Sequence, residues 1–397
     1  MKKIVYCFVG LFFIIASCKK NPDDSANKLA QVIPLQSPVP DAFFTDLSKV
    51  GNGLASPVIM DRLIAMLDAA PQGSSVSLCI FEFDHAGVID ALKRASDRGV
   101  ILRLMIDMSR EETIAQNPPT ISKLRSFINS SSEVVVIKSD AGTSSINHNK
   151  FVLFSQLETK SGKVENVIFQ TSHNFTVDDT KKIQDVVILS QKGLYDAYLA
   201  YWNDMKAKAE NGMKDYYYKE YDNPVTGLTA CFFPKRRDGA TYGADIIIEI
   251  LDAITEPTTA LIRIGMSDWV ASRINIVQKL DELLAQGATI EVIVKSKADQ
   301  EILDGLENLR IKGAYVKIYN LTYSNQVKIN IHSKFMLIRG EWKGEQCDLL
   351  VTGSHNFTTN ALRYNNEALL ILKNHNDFFS TYMKVYDDMK KLPGLVK

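Results

Sequence analysis

Residues 331–358 read IHSKFMLIRGEWKGEQCDLLVTGSHNFT, and residues 147–176 read NHNKFVLFSQLETKSGKVENVIFQTSHNFT. Each stretch has His-x-Lys opening an apolar run, then a turn-rich connector, then a second apolar run ending in Ser-His-Asn-Phe-Thr. Strand side chains alternate between faces, so His148 and Lys150 project to one side and Asn149 to the other, as do His332 and Lys334 against Ser333. A nucleophile or acid therefore stands beside a fixed cation. The second run brings Ser172 and Asn174, or Ser354 and Asn356, which add neutral hydrogen-bonding groups where a paired strand would end. Imidazole, ammonium, hydroxyl and amide together suit a phosphoryl group. The two histidines are 184 positions apart and the two asparagines 182, so one site has been written twice.

The pattern His-x-Lys followed by Gly-Ser-x-Asn, present in two copies, resembles the phospholipase D superfamily. One His-x-Lys is worthless as a motif, whereas two with matching downstream elements at a nearly constant offset are specific. The resemblance covers nearly everything from about residue 55 onward. It implies an α/β fold of duplicated, phospholipase D-like design, in which two α/β/α sandwich halves share one active site at a pseudo-twofold interface. It also implies a phosphohistidine intermediate. One neutral imidazole attacks phosphorus, a second, protonated imidazole gives its proton to the leaving oxygen, and water then attacks with the second histidine as base. On this resemblance His148 is the nucleophile and His332 the acid. Lys150, Lys334, Asn174 and Asn356, with Ser172 and Ser354 as phosphate-binding groups, hold the nonbridging oxygens. A histidine at such a site needs a partner to fix its tautomer. The aligned positions are Asp185 and Glu367, each 11 residues after its asparagine. By resemblance Asp185 serves His332, and Glu367 serves His148.

The chain departs from the family at several places. Ser155 and Arg339 stand where the motif usually carries an aspartate, and Thr171 replaces the glycine matched by Gly353. His173 and His355 face away from their neighbouring serine and asparagine by strand alternation and read as packing or rim residues. His85 and His375 stand alone and read as structural or exposed. Nothing in the sequence has metal-ligand spacing, so no cofactor is expected and activity should survive chelation.

Residues 1–17 have a basic start at Lys2 and Lys3, an apolar run and small residues before Cys18, which is the pattern of a signal peptide. Ile15-Ala16-Ser17-Cys18 resembles the lipobox of bacterial lipoproteins, which implies acylation of Cys18 and an outer-membrane location, on the periplasmic face or the cell surface. Residues 18–50, with Pro22, Pro34, Pro38 and Pro40, read as a lipidated tether. The remainder is long enough for two packed halves. Basic and acidic residues balance at 46 each, so no global field recruits nucleic acid. Cys79, Cys231 and Cys347 lie in apolar, strand-like runs and read as buried thiols.

Helical and strand periodicities alternate through residues 51–210 and again through 227–397, giving two domains joined by a linker over 211–226. Strands apolar on both faces imply sheets covered by helices on both sides. Tyr216, Tyr217 and Tyr218 in the linker read as packing at the junction, and Lys235-Arg236-Arg237 as a solvated charge run.

Fold class leaves substrate open, because this superfamily hydrolyses or exchanges phospholipid headgroups and also cuts nucleic acid with one kind of site. The lipid anchor favours phospholipase D-type hydrolysis of membrane phospholipid by a monomer. A nuclease, a cardiolipin synthase-like transferase and a non-catalytic phosphate-binding surface protein are the alternatives.

Overall fold

The computed structural model describes residues 31–110, 114–139, 144–209, 218–235, 237–238 and 241–396. The leader expected over residues 1–17, the acylation expected at Cys18 and much of the expected 211–226 linker lie outside the described residues.

The first half runs β1 (Asp41–Phe44), α1 (Leu47–Val50), α2 (Val58–Ala69), β2 (Ser75–Ile80), α3 (Ala86–Asp97), β3 (Ile101–Asp107), α4 (Asn117–Arg125), β4 (Glu133–Ile137), β5 (Lys150–Thr159), β6 (Gly162–Thr171), β7 (Asp185–Ser190) and α5 (Lys192–Lys208). The second begins with β8 (Lys219–Asn223), β9 (Leu228–Phe232) and a short hairpin, β10 (Arg237–Asp238) and β11 (Thr241–Tyr242). It continues through α6 (Ile246–Asp252), β12 (Ile254–Met266), α7 (Ile274–Ala285), β13 (Thr289–Lys295), α8 (Gln300–Ile311) and β14 (Tyr315–Tyr319). The motif hairpin β15 (Lys334–Trp342) and β16 (Glu345–Gly353) follows, then α9 (Thr359–Arg363), β17 (Ala368–Lys373) and α10 (Asn376–Lys391).

Among the described residues these strands form two mixed sheets, ordered β1-β7-β6-β5-β2-β3-β4 and β8-β9-β17-β16-β15-β12-β13-β14. Three strands at one side of each are parallel, and the motif hairpins are antiparallel to them. The duplication read from the motifs thus extends to the whole sheet. Two segments differ from expectation. Residues 41–44, read as tether, pair with β7, because Ala42, Phe43 and Phe44 supply apolar side chains to an open sheet edge. Residues 219–223, read as linker, pair with β9 as an added edge strand. The chain enters at the hairpin end of the first sheet, where Leu35 N–H donates to Glu158 O at 2.8 Å and Ile33 N–H to Asp68 O at 3.0 Å.

Each sheet buries one face under outer helices. Ile59, Leu63 and Leu67 of α2 and Val88, Leu92 and Ala95 of α3 cover the first, while Val277 and Leu280 of α7 and Ile302 and Leu306 of α8 cover the second. The inner faces share one apolar cluster with α5 and α10 that includes Trp202; in it Tyr198 and Tyr201 meet Phe232 of the second sheet, and Tyr382 meets Phe44 of the first. Cys79, Cys231 and Cys347 are buried free thiols.

This packing brings the motif ends together. Ile80 pairs with Lys150 and Met266 with Lys334, so the parallel strands deliver their C-terminal ends beside the lysines. Bridges Asn147–Asn366 and Ile183–Ile331 then cross between halves. His148 N–H donates to Asn366 O and His332 N–H to Ile183 O, both at 2.9 Å. Gly353, at φ +146°, closes β16 where a Cβ would lie 2.1 Å from Ala368 O. At the matching place Thr171 turns its hydroxyl onto Asp185 O at 2.5 Å.

Trp202 is fully buried and donates Nε1–H to Leu78 O at 3.0 Å. Trp202→Ala is expected to cost about 3–5 kcal/mol, because it opens a cavity between the sheets and orphans a carbonyl. A denaturant titration that found a loss under about 1 kcal/mol would contradict the role given to this inner cluster.

Candidate active site

His148 and His332 come to one centre, and each is held by a residue of the opposite half. His148 Nδ1 lies 2.9 Å from Glu367 Oε2. An ionised carboxylate can only accept, so Nδ1 carries the proton and Nε2 is left with its lone pair. His332 Nδ1 lies 3.0 Å from Gln184 Oε1 and 3.2 Å from Ser172 O.

Asp185 is therefore not the partner of His332. Its Oδ2 accepts from Thr352 Oγ1 at 2.6 Å and from Tyr382 Oη at 2.7 Å, deep in the seam between halves. The reason is register. Ser172 N–H donates to Asp185 O, and Ser354 N–H donates to Ala368 O, so Asp185 matches Ala368 and Gln184 matches Glu367. The segment from Asn174 to β7 is one residue shorter than its counterpart, and in a strand a one-residue slip exchanges faces. Counting from the asparagines missed this; alignment on the start of the following strand would have found it.

The serines also differ from expectation. Ser172 Oγ donates to Gln184 Oε1 at 2.9 Å and accepts from Asp185 N–H at 3.0 Å. Ser354 Oγ accepts from Ala368 N–H at 3.1 Å. Both hydroxyls tie strand ends together instead of facing a phosphate. Asn174 and Asn356 are buried at the centre; Asn174 donates N–H to Asp179 Oδ2 at 2.8 Å, and Asn356 Oδ1 accepts from Asp268 N–H at 3.3 Å. Ser155, in place of the motif aspartate, accepts from Ser75 N–H at 2.8 Å, and Arg339 makes a double hydrogen bond to Asp348 on the exposed face.

The lysines are the dominant electrostatic feature. Lys150 and Lys334 are buried, and each donates to the carbonyl of the histidine two residues before it. Burial lowers Lys150 to about 8 despite Glu367, Asp179 and Glu82, and burial together with Lys150 lowers Lys334 to about 7. Two further ion pairs line the centre that sequence reasoning did not single out, Lys182 with Asp179 and Lys295 with Asp268, the latter at 2.7 Å. Glu82 and Asp268 occupy matching places, one residue before Phe83 and Trp269, which bridge to Phe175 and Phe357. That shared acid-before-aromatic position was the available signal.

Burial lowers His148, with Glu367 pulling the other way. Burial lowers His332 much further, and Lys334, Lys182, Lys295 and Lys150 add to the effect. Burial would raise Glu367, but His148 and Lys150 outweigh it and keep the carboxyl below its usual range. Phe81 stands edge-on to His148 at 5.1 Å, closing one side of the centre. His173 and His355 are buried packing residues; His355 lies against Phe233 at 4.6 Å. His85 accepts from Val88 N–H at the start of α3.

An imidazole beside a buried lysine is thus built twice on a duplicated mixed sheet, and both copies meet at one centre. A sequence profile described as "Cardiolipin synthase, PLD-like domain" matches residues 63–206 and 250–390. The chain belongs to the phospholipase D superfamily. Its structure is similar to phosphatidylserine synthase of Haemophilus influenzae, at TM-score 0.61 and 11% identity, over 92% of this chain and 90% of that one. It is also similar to polyphosphate kinase of Porphyromonas gingivalis, at TM-score 0.52 and 12% identity, over 87% of this chain but 49% of the kinase, so it spans about half of that protein. Nuc of Salmonella typhimurium, a phospholipase D family member, matches 43% of the chain at 20% identity and TM-score 0.31. No curated protein sequence matches.

Burial holds His173 and His355 at about 4, below the ordinary 6.5. The unfolded chain then binds protons first, so their contribution to stability is complete above about pH 6.5 and is lost as pH falls through 4. Thermal melts should show Tm falling across that window, and His355→Phe should flatten part of the fall.

Proposed function

We propose that this protein is a two-histidine phosphodiesterase that forms a phosphohistidine and acts on phospholipid headgroups. The observation that carries the reading is the crossed support of the two imidazoles, each fixed at Nδ1 by the other half. His148 Nε2 attacks phosphorus; the N–P bond forms as the P–O bond to the leaving group breaks, and Glu367 stabilises the positive charge that the ring acquires. The proton of His332 goes to the leaving oxygen. A neutral amide at its Nδ1 holds that proton less tightly than a carboxylate would, which suits an acid. Lys150, Lys334 and the amides of Asn174 and Asn356 take the nonbridging oxygens as charge builds on them. Water then attacks phosphorus, His332 takes its proton, and the P–N bond breaks.

Phospholipid is favoured as substrate by the lipoprotein-like N-terminus, with Cys18 acylated at an outer membrane, and by the phospholipid enzymes that the matching profile and the phosphatidylserine synthase are named for. Those names equally favour a second reading, transfer of the phosphatidyl group to an alcohol instead of water. Among the described residues no helix is long and apolar enough to cross a membrane.

The test is turnover on phosphatidylcholine, phosphatidylethanolamine and phosphatidylglycerol vesicles, with and without glycerol, and on single-stranded and duplex DNA. Headgroup release that resists EDTA and falls by at least about a thousandfold in His148→Ala and His332→Ala is the expected result. A phosphatidylalcohol formed in glycerol would select transfer. DNA cleavage without lipid turnover would replace the substrate with nucleic acid, and inactivity of the folded protein on every substrate would replace the enzyme with a phosphate-binding protein.

The lysines must be charged to hold the phosphate, and His332 must be protonated to act as acid. Lys334 at about 7 and Lys150 at about 8 lose their protons as pH rises through those values, and His332 loses its own lower still. The pH profile of kcat/KM should therefore decline from neutral pH upward; a flat profile between pH 7 and 9 would contradict this electrostatic account.

A further inference from the structure

Gln184 stands opposite His332 where Glu367 stands opposite His148, a difference in charge at matching places of the two half-sites. A carboxylate both orients an imidazole and balances its positive charge. An amide, whichever end it turns to the ring, orients it and adds no charge. We infer that Gln184 is a positioning residue that leaves His332 without a counter-charge, so that His332 takes its working proton from solvent only when an anionic phosphodiester fills the centre. The inference rests on the phosphate site proposed above.

The groups facing His332 support it. On its own strand Lys334 Nζ is 3.3 Å from Nδ1; Lys150 approaches from β5, Lys295 from the end of β13 and Lys182 from the turn before β7. The nearest carboxylate, Asp179, has Oδ2 4.0 Å from Nδ1, but it is the ion-pair partner of Lys182 and accepts the Asn174 N–H. Asp268 is held by Lys295, and Glu367 by His148. Each of these carboxylates is thus already matched, and His332 is surrounded by cations. An imidazolium there is opposed until an anion arrives, and the anion that the two motif lysines are placed to receive is the substrate itself. Opposite charge at such range favours the protonated ring.

The proton is accounted for at each step. Solvent supplies it to Nε2 as substrate binds, since Nδ1 is held by Gln184. It leaves with the displaced oxygen as His148 forms its bond to phosphorus. His332 is then neutral, takes a proton from water as the P–N bond breaks, and returns it to solvent when the product anion departs. A neutral phosphotriester brings no charge and recruits no proton, so the site selects monoanionic diesters by protonation as well as by contact.

Calorimetric titration of the purified protein with dimethyl phosphate at about pH 6, where Lys334 and Lys150 already carry nearly all of their protons, in two buffers of different ionisation heat, measures the proton uptake of His332 directly. Uptake should approach about one proton per anion bound, with none on addition of trimethyl phosphate. His332→Gln should abolish uptake while binding persists. Gln184→Glu supplies the missing charge, so uptake should fall by at least about half. Gln184→Ala should keep the uptake and lower kcat, as loss of orientation alone requires. Binding with uptake below about one-fifth of a proton, or uptake that survives in His332→Gln, would overturn the inference and leave the phosphate site standing. Absence of dimethyl phosphate binding would overturn the phosphate site and this inference with it.

Discussion

The two Nδ1 contacts across the seam, His148 with Glu367 and His332 with Gln184, are the constraint on which the rest depends. Neither half carries a complete site. Each contributes a histidine and lysine at the start of one strand and, two strands away in the same sheet, the residue that orients the other half's ring. The inner cluster around Trp202, Tyr201 and Tyr382 therefore does more than hold two domains together, because its packing sets the distance between imidazoles. Asp185 belongs to this same requirement: its carboxylate, carried by the first half, holds Thr352 and Tyr382 of the second at the depth of the site.

The second constraint is charge in a buried place. Four lysines placed near two histidines would repel one another if solvent were absent and partners missing. The fold answers with Asp179 and Asp268, which pair with Lys182 and Lys295 and leave Lys150 and Lys334 as the cations presented to an incoming anion. Burial moves both of those lysines toward neutral pH, so the affinity of the centre for phosphate and its protonation state are one property.

Much of this was legible in the sequence because it was written twice. Alternation in KFVLF and KFMLI placed histidine and lysine on one face, and apolar strands predicted sheets covered on both sides. The crossed Glu367–His148 contact was implied by the resemblance to the family, not by the spacing of the copies. Legibility failed where the copies differ in length. A single missing residue between Asn174 and β7 moved Asp185 to the seam and put Gln184 at His332, and a count from the asparagine does not register a slip that alignment on the following strand reveals. Lys295 and Asp268 were hidden for another reason: each ends a separate strand, and their pairing exists only in three dimensions. Residues 41–44 looked like tether because a four-residue edge strand carries too little periodicity to announce itself.

The entry of the chain beside the β5–β6 hairpin bears on orientation. β5 begins at Lys150 and ends at Thr159, next to which Leu35 is bound, so the body is entered about 30 Å from the histidines along a strand of ten residues. Whatever holds the residues before Ile33 thus holds the molecule by its back.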